Sequence, residues 1–524
     1  MMINFKELKK CSLDFIILSI YLVLMVFIPK SFSTLFNFIP IRLFLTSLFI
    51  IIITFHTKGK SLSINSKKIK ILLILYGIFL LFTIPSIFVS KSFFTSCYTF
   101  MKFMVIPFLM LICINLKPSN EDKKLFYFTI VFISLILVLF SFIQYKFNID
   151  LLKLGTEKYP GAKGRVSTTF FNTIYYGIFL NFISCIFVCK FLRSKNLKIN
   201  VFYFISIILI YISLLLTFTR SAFLIFSGIL FIILILLISK KNLIKIGVMI
   251  ISIVLLTFVI PGAKYMVYDS INDGFELLFN VNLFDGKVEQ IKNSSTITKQ
   301  ENSDFDENND KKINDNVSTE ESEVNNNAIN NENNDKKIND NVSTEESKVD
   351  NNAINNENKD KNKTTSDDKN DIKYNGDLSL LHREQFSDIA KRIGDDHIFT
   401  GVGLGTYIDY MNSEEFNTLY PDYIGSKTHP HSTVVLLYAE CGIISVFSFF
   451  MFLVLIPAFS FIRLLKNIKY RNNDNFILYL CSFVISIGFT FINIIAENAI
   501  YDTQIFPLFI IIVFVLYSFS EMEN

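Results

Sequence analysis

The sequence predicts an all-α fold, a polytopic bundle of about twelve transmembrane helices with a long polar loop between spans nine and ten. Three observations predict it. The 524 residues are 51% hydrophobic, with a mean hydropathy of +0.44, which is too apolar for a soluble chain of this length. The apolar residues fall into windows long enough to cross a bilayer, roughly 20 residues for about 30 Å. One polar stretch, residues 262–432, interrupts them.

The windows follow one another along the chain, most of them before the polar loop and the last few after it. They extend over residues 13–29, 39–55, 71–89, 99–115, 125–144, 174–192, 201–218, 221–239, 244–261, 433–461, 476–494 and 503–519. The first lacks a small-residue cleavage site and predicts a retained signal anchor. The window at 433–461 is longer than one span needs, which predicts a tilted helix or a short interfacial helix before the span.

Basic residues concentrate in every second short connection, and the alternate connections carry fewer of them. The basic positions are Lys6, Lys9 and Lys10; Lys58, Lys60, Lys67, Lys68 and Lys70; Lys117, Lys123 and Lys124; Arg193, Lys195 and Lys198; Lys240, Lys241 and Lys245; Arg463, Lys466, Lys469 and Arg471. Cytoplasmic loops carry such an excess. We therefore expect a multi-pass protein of the cytoplasmic membrane with both termini in the cytoplasm and residues 262–432 outside.

Three regions follow from this pattern: a membrane region at 1–261, the outer loop at 262–432, and a second membrane region at 433–524. Within the loop, residues 292–372 are rich in Asn, Asp, Glu and Lys and contain a near-duplicated stretch, so they predict a disordered insert. Residues 377–394 place apolar side chains at helical spacing and end on Gly394. They predict an amphipathic helix lying on the membrane surface or on the helix bundle.

The seven cysteines form neither a disulfide framework nor a CxxC pattern, so the sequence predicts no metal site. The net charge is +4, although the insert is acidic and the membrane regions are correspondingly basic. Positive-inside loops explain most of that basic excess.

Titratable groups gather where the polar loop returns to the membrane. His429 and His431 lie directly before the apolar window at 433–461, and a histidine exchanges protons near neutral pH. His431 predicts either a proton-transfer group or a residue that caps the following helix. Upstream, Gly401, Gly403 and Gly405 predict a tight turn, either plain or with backbone N–H groups directed at an anion.

A few arginines stand on the predicted outer side against the positive-inside trend. Arg220 lies between two windows with almost no loop, Arg165 precedes the sixth window, and Arg383 begins the amphipathic segment. A guanidinium binds phosphate oxygens in bidentate fashion and keeps its charge at low dielectric. Each one alone is also explained as an interfacial or ion-paired side chain. Together with the histidines they predict an anion site, and a lipid diphosphate is the donor that reaches this face without soluble nucleotides.

These motifs resemble the O-antigen ligase and O-antigen polymerase superfamily of bacterial membrane glycosyltransferases. That family shows a glycine-rich turn, a histidine followed by Asn-Ser, an apolar stretch and Ala-Glu-x-Gly. Here Gly401–Gly405, His431 and Ala439-Glu440-Cys441-Gly442 occur in the same order, and Ser432 replaces the usual Asn. The resemblance extends to Thr219-Arg220-Ser221, to Arg383, and to Arg165 with Asn172, and it excludes the insert.

The resemblance implies metal-independent transfer of an undecaprenyl-diphosphate-linked glycan, without a cofactor, to an acceptor glycan or glycolipid. Under it, His431 is the catalytic base and Arg220, Arg383 and Arg165 bind the diphosphate, while His429, Asn172 and Glu440 support the site. Membrane lipid is then a partner and nucleic acid is not. A polymerase or a ligase is favoured over transfer to a protein hydroxyl. A transporter of lipid-linked sugars is the main alternative, because a similar number of spans suits it.

Overall fold

The computed structural model describes residues 9–28, 41–64, 67–147, 164–170, 172–239, 242–260, 263–264, 266–268, 270–271, 376–423, 425–470 and 473–521, with only the backbone at 376–382, 470 and 521. These residues belong to one compact unit. The predicted insert at 292–372 lies outside the described residues. The secondary structure of the described residues is helical, which confirms the predicted fold class.

One helix covers each predicted window. Before the polar loop they are α1 Leu13–Phe27, α2 Ile41–His56, α3 Lys67–Val89, α4 Phe93–Asn115, α5 Asn120–Phe147, α6 Thr173–Arg193, α7 Leu197–Leu216, α8 Arg220–Leu237 and α9 Leu243–Val259. The loop contributes α10 Gly376–Asp396, α11 Tyr407–Met411 and α12 Glu414–Leu419. The last three are α13 Thr433–Lys466, α14 Asp474–Ile495 and α15 Ile505–Glu521. Short 3₁₀ turns occur at Lys60–Leu62, Ile468–Tyr470 and Ala499–Tyr501.

By length and composition, 8 of the described helices can cross a membrane, namely α3 to α8, α13 and α14. Four further apolar helices, α1, α2, α9 and α15, are shorter, slightly under the roughly 20 residues that a full hydrocarbon core requires. The protein is therefore a multi-pass membrane protein. Among the long helices α6 is the most enclosed, with 89% of its spanning window buried against 33% for α3 and α8. The centre of the bundle thus contains α6, and α3 and α8 present apolar surface outward.

The helix connections meet at two ends of the bundle. At one end Gln504 Nε2 donates to the Val26 carbonyl at 3.1 Å, and Ser96 Oγ donates to the Leu404 carbonyl at 2.7 Å. The backbone N–H of Val166 donates to the Leu216 carbonyl at 3.1 Å. We call this the histidine end, because α13 begins there directly after His431.

Basic connections lie at the opposite end. Arg193, the last residue of α6, lies 3.5 Å from the Asp474 carboxylate at the start of α14. Lys245 Nζ donates to the Ser194 carbonyl at 2.6 Å. The alternation of basic loops along the sequence thus corresponds to a spatial separation of these basic connections from His429 and His431.

The amphipathic segment forms α10, which packs against α13 and not beside the bundle as an isolated surface helix. Its buried side chains are Phe386, Ile389, Ala390 and Ile393. Gly394 does not terminate the helix as the sequence predicted, since α10 continues to Asp396. A Cβ atom at Gly394 would overlap the Tyr438 ring of α13. The glycine therefore permits close packing between the two helices.

Candidate active site

A glycine-rich turn joins α10 to α11 and lies against the first part of α13. Val402 N donates to the Ala439 carbonyl at 2.9 Å and Gly403 N to the Glu440 carbonyl at 3.1 Å. In return Ile443 N donates to the Ile398 carbonyl at 2.8 Å. The backbone of α13 is non-helical at Gly442, with φ 75° and ψ 177°, and this break frees the groups that pair with the turn.

Two glycines make this approach possible. Gly401 has φ 62° and Gly442 φ 75°, both in the left-handed region that favours glycine. A Cβ atom at Gly401 would overlap the backbone of Glu440, and one at Gly442 would overlap the backbone of Phe399. Because backbone and not a flexible side chain occupies the space, neither position can accommodate alanine without displacing the turn.

Glu440 is the group to which the turn directs its N–H groups. Its carboxylate is fully buried and accepts from Gly405 N at 2.7 Å, Tyr407 N at 3.2 Å and the Tyr501 hydroxyl at 2.5 Å. The sequence left open whether this turn is plain or binds an anion, and in the structure its N–H groups bind a carboxyl group of the protein itself. Glu440 therefore holds the turn and the Ala499–Tyr501 segment together.

The histidine segment is anchored by the end of α14. Ser432 Oγ donates to the Ile494 carbonyl at 2.7 Å, and Asn498 Nδ2 donates to the Pro430 carbonyl at 2.6 Å. Ser432, and not His431, occupies the N-cap position of α13. His431 thus lies outside the helix, which removes the reason to interpret it as a capping residue. Ser432, where the family usually has Asn, still supplies a hydrogen bond that fixes the segment.

His431 faces a carboxylate that the sequence analysis did not single out. Its Nδ1 lies 3.8 Å from Glu497 Oε2. This distance exceeds a direct hydrogen bond, but it allows charge attraction or a bridging water. The His431 side chain is 34% exposed and that of Glu497 12%, so a ligand can reach the imidazole while the carboxylate stays mostly enclosed. The only sign of Glu497 that the sequence offers is its acidic side chain in the short connection between the last two windows.

His429 lies beside this pair and packs on Tyr407, with the two ring centroids 6.0 Å apart. The residue as a whole is exposed, yet nearby protein atoms partly desolvate the ring and lower the pKa of His429 below the usual histidine value. The Glu497 carboxylate opposes this shift, and a charge on His431 adds to it. The neutral form of His429 is therefore favoured, and His431 is the imidazole that faces Glu497 directly.

Two arginines form a second group at the histidine end: Arg165, which precedes α6, and Arg220, which begins α8. Arg165 Nε donates to the Thr217 carbonyl at 3.0 Å, and Arg165 Nη2 donates to Thr219 Oγ1 at 3.3 Å. Thr219 is the N-cap of α8, whose first residue is Arg220. Asn172 caps α6 by accepting from Tyr175 N at 2.8 Å. Thr219 Oγ1 also donates to Thr173 Oγ1, next to Asn172, at 3.4 Å, so the starts of α6 and α8 lie side by side next to Arg165.

Arg383 lies elsewhere, half-buried on α10. That helix packs on α13, which begins after His431. The described contacts thus connect His429, His431, Glu440 and Glu497 in one group and Arg165, Asn172 and Arg220 in another. Convergence of Arg220, Arg383 and His431 on a single cavity stays a prediction.

Three buried cysteines approach one another at a distance from both groups. The sulfur atoms of Cys185 and Cys189 on α6 and Cys481 on α14 lie within 4.8 Å of one another. The sequence predicted no metal pattern, because the third thiol comes from a distant helix. Cys189 lies one turn before Arg193, so the trio belongs to the half of the bundle opposite the histidines.

The fold and these side chains define a class: a multi-pass helical membrane protein with imidazole, carboxylate and guanidinium groups at one end of its bundle. Residues 204–450 match the family model described as O-Antigen ligase. The match over this region confirms the resemblance to the O-antigen ligase and polymerase superfamily and supports a glycan-transferring enzyme. The match contains Arg220, Arg383, His431 and Glu440. No curated protein matches the chain.

Replacing Gly401 or Gly442 with alanine tests the packing of the turn on α13. Each change combines an unfavourable backbone conformation with overlap, so we expect a loss of about 1–3 kcal/mol in stability. Most of the cysteines are buried, so a thiol-reactive fluorescent maleimide reports thermal unfolding of the detergent-solubilised protein. Gly228→Ala is the matched control, because nothing lies within 4 Å of a Cβ atom there. Equal melting temperatures for all three variants would contradict the interlock.

Proposed function

We propose that this protein transfers a glycan from an undecaprenyl-diphosphate carrier to an acceptor hydroxyl at the outer face of the cytoplasmic membrane, without a metal. The family supports glycan transfer, and the arrangement of side chains supports the finer statement. The observation that carries it is the half-exposed His431 beside Glu497, at the same end of the bundle as Arg165 and Arg220.

His431 acts as the general base. Its neutral imidazole accepts the proton of the acceptor hydroxyl as that oxygen attacks the anomeric carbon of the donor glycan. Glu497 orients the ring and stabilises the imidazolium that forms, as the carboxylate does in other base–carboxylate pairs. The anomeric carbon–oxygen bond to phosphate breaks, and the electron pair leaves with the diphosphate.

Arg220 and Arg165 stabilise the departing diphosphate, with Arg383 as a further ligand from α10. Negative charge grows on the leaving group in the transition state, so guanidinium groups act more strongly there than on the bound donor. Asn172 and Thr219 hold the ends of α6 and α8 in place and thereby position the two arginines. His429 and Glu440 support the site through the packing of Tyr407 and the glycine-rich turn.

The placement at the outer face rests on the basic connections. They gather at the end of the bundle away from the histidines, and basic loops are cytoplasmic in most membrane proteins. A transferase on the outer side requires a donor that the lipid phase delivers, and an isoprenoid diphosphate is such a donor. The acceptor is a second lipid-linked glycan in a polymerase or a surface glycolipid in a ligase. The transporter alternative is weaker, because the ionisable groups gather at one end and not at the membrane midplane.

His431→Ala and Arg220→Ala test the roles of base and diphosphate ligand. We expect each to reduce glycan transfer at least about 100-fold, because each removes a group that acts mainly in the transition state. The measurement is surface-glycan chain length on a gel, beside the amount of accumulated lipid-linked precursor, in cells that depend on this gene.

His56→Ala is the matched control, since His56 is exposed and bonded to Asp14 far from the site. Wild-type glycan in both His431→Ala and Arg220→Ala cells would refute the proposal. Short chains that remain attached to their acceptor would indicate a polymerase, and loss of attachment would indicate a ligase.

Glu497→Gln tests the partner of His431. The amide keeps the shape of the side chain but no longer stabilises the imidazolium, so we expect kcat to fall about tenfold or more with KM for the donor unchanged. Glu497→Asp should restore part of the activity. Thermal unfolding by cysteine labelling should match wild type in both variants. A raised donor KM with normal kcat would show that Glu497 binds substrate and does not act through His431.

A further inference from the structure

Arg42 is buried at the histidine end although it belongs to an apolar helix. It is the second residue of α2 and only 2% exposed. Its Nε and Nη2 donate to the Ile28 carbonyl at 3.1 and 2.9 Å. Nη2 also donates to the Thr169 carbonyl at 3.4 Å. Nη1 has no hydrogen-bond partner in the described part of the chain.

This burial is not explained by stability alone. A buried charge with an unsatisfied donor is less favourable than an apolar residue of similar size, unless it specifies an arrangement that function requires. The neighbouring Thr46, one turn further along α2, does not need the guanidinium. Its hydroxyl bonds to the backbone carbonyl of Arg42 and to the Tyr21 hydroxyl, and both bonds would remain with an apolar side chain at position 42. The charge of Arg42 therefore calls for a functional explanation.

Arg42 is connected to the two segments that carry the groups of candidate site residues. Thr169 belongs to the short segment 164–170 that also carries Arg165. On the other side, the Ile28 carbonyl that Arg42 binds follows the end of α1, and the Val26 carbonyl of α1 accepts from Gln504 Nε2 at 3.1 Å. The Asp502 carboxylate nearby adds a favourable charge interaction with Arg42. Asp502 follows Glu497 in the connection between α14 and α15, and its Oδ1 accepts from Gln504 N and Ile505 N, both at 2.8 Å.

Arg42 is thus linked through Thr169 to the segment that carries Arg165. Through Ile28 and the end of α1 it is also linked to Gln504, in the connection from α14 to α15 that carries Glu497. The first link is a direct hydrogen bond to backbone, and the second passes through Gln504, whose N–H is held by Asp502. Arg42 therefore lies between these two segments.

We propose that Arg42 is a positioning residue that sets the separation between the diphosphate-binding arginines and the His431–Glu497 pair. The inference rests on the proposed function and deepens it. Arg42 does not touch the donor. It holds the Arg165 segment at the distance from the histidine segment that one glycosyl diphosphate spans, and a small misplacement of such groups costs about 100-fold in rate.

Arg42→Lys tests this, because lysine keeps the charge but lacks the planar fork that bonds Ile28 and Thr169 together. The probe is undecaprenyl diphosphate, whose binding to the purified protein in detergent is measured beside glycan transfer in cells. We expect Arg42→Lys to bind the probe about tenfold more weakly and to lose about 100-fold in transfer. Arg193→Lys, a matched change at the opposite end, should do neither.

A double-mutant comparison separates positioning from a general loss of structure. If Arg42 acts through the Arg165 segment, Arg42→Lys combined with Arg165→Ala should bind the probe no more weakly than Arg165→Ala alone, within about twofold. Multiplied effects of the two changes would overturn the proposal. So would wild-type binding and transfer in Arg42→Lys.

Asp502→Asn provides a second route if Arg42→Lys does not fold. Asparagine is as good an N-cap as aspartate, so α15 keeps its cap while the charge that faces Arg42 is removed. We expect transfer to fall with unchanged thermal unfolding, and normal transfer would overturn the proposal.

If Arg165→Ala, Arg220→Ala and His431→Ala are inactive while Asp502→Asn and Arg42→Lys are normal, only the positioning role fails. If those three variants are active, the proposed function fails and the positioning role fails with it.

Discussion

The structure depends on one buried contact, the interlock between the glycine-rich turn and the break in α13 around Glu440. Backbone of residues 401–405 lies against backbone of 439–443, and the Glu440 carboxylate satisfies N–H groups of Gly405 and Tyr407. Removing that carboxylate would leave buried donors unpaired, which is costly at low dielectric. Because the same carboxylate accepts from Tyr501, the interlock also fixes the connection that carries Glu497. The position of His431 relative to its partner thus follows from a contact that involves neither residue.

The candidate site residues form two groups of side chains. One is the imidazole of His431 with Glu497, anchored by Ser432 and Asn498 to the end of α14. The other is the pair Arg165 and Arg220, held where α7 turns directly into α8. Each group rests on helix ends inside the bundle and not on free loops, and catalytic groups gain from such rigid support. Arg42 is a buried residue that binds the segment of Arg165 directly and connects, through the end of α1, to the segment of Glu497.

The sequence predicted the class of fold and the helical windows, because about 20 apolar residues form a signal that needs no partner to be recognised. It also predicted that Arg165 and Arg220 lie on the same side of the membrane. Arg165 lies between the fifth and sixth windows and Arg220 between the seventh and eighth, so the chain crosses the membrane an even number of times between them. It did not predict Glu497 or Arg42 as candidate site residues. Glu497 lies between two apolar windows and Arg42 lies inside one, and their partners, His431 and Thr169, are far away in the sequence. The prediction that Gly394 ends the helix was wrong for the same reason, because the glycine is explained by its contact with Tyr438 of another helix. Local spacing also could not predict that the glycine-rich turn binds the Glu440 side chain, which lies more than 30 residues further along the chain.

The most direct measurement is an electron cryo-microscopy structure of the purified protein with bound undecaprenyl diphosphate. The central claim is that guanidinium groups and an imidazole converge on one lipid diphosphate. It predicts diphosphate density in contact with Arg220 and Arg165, with the His431 ring within the width of one sugar from the terminal phosphate. Density for the diphosphate at the basic end of the bundle, or at the histidine end but separated from His431 by protein, would contradict it.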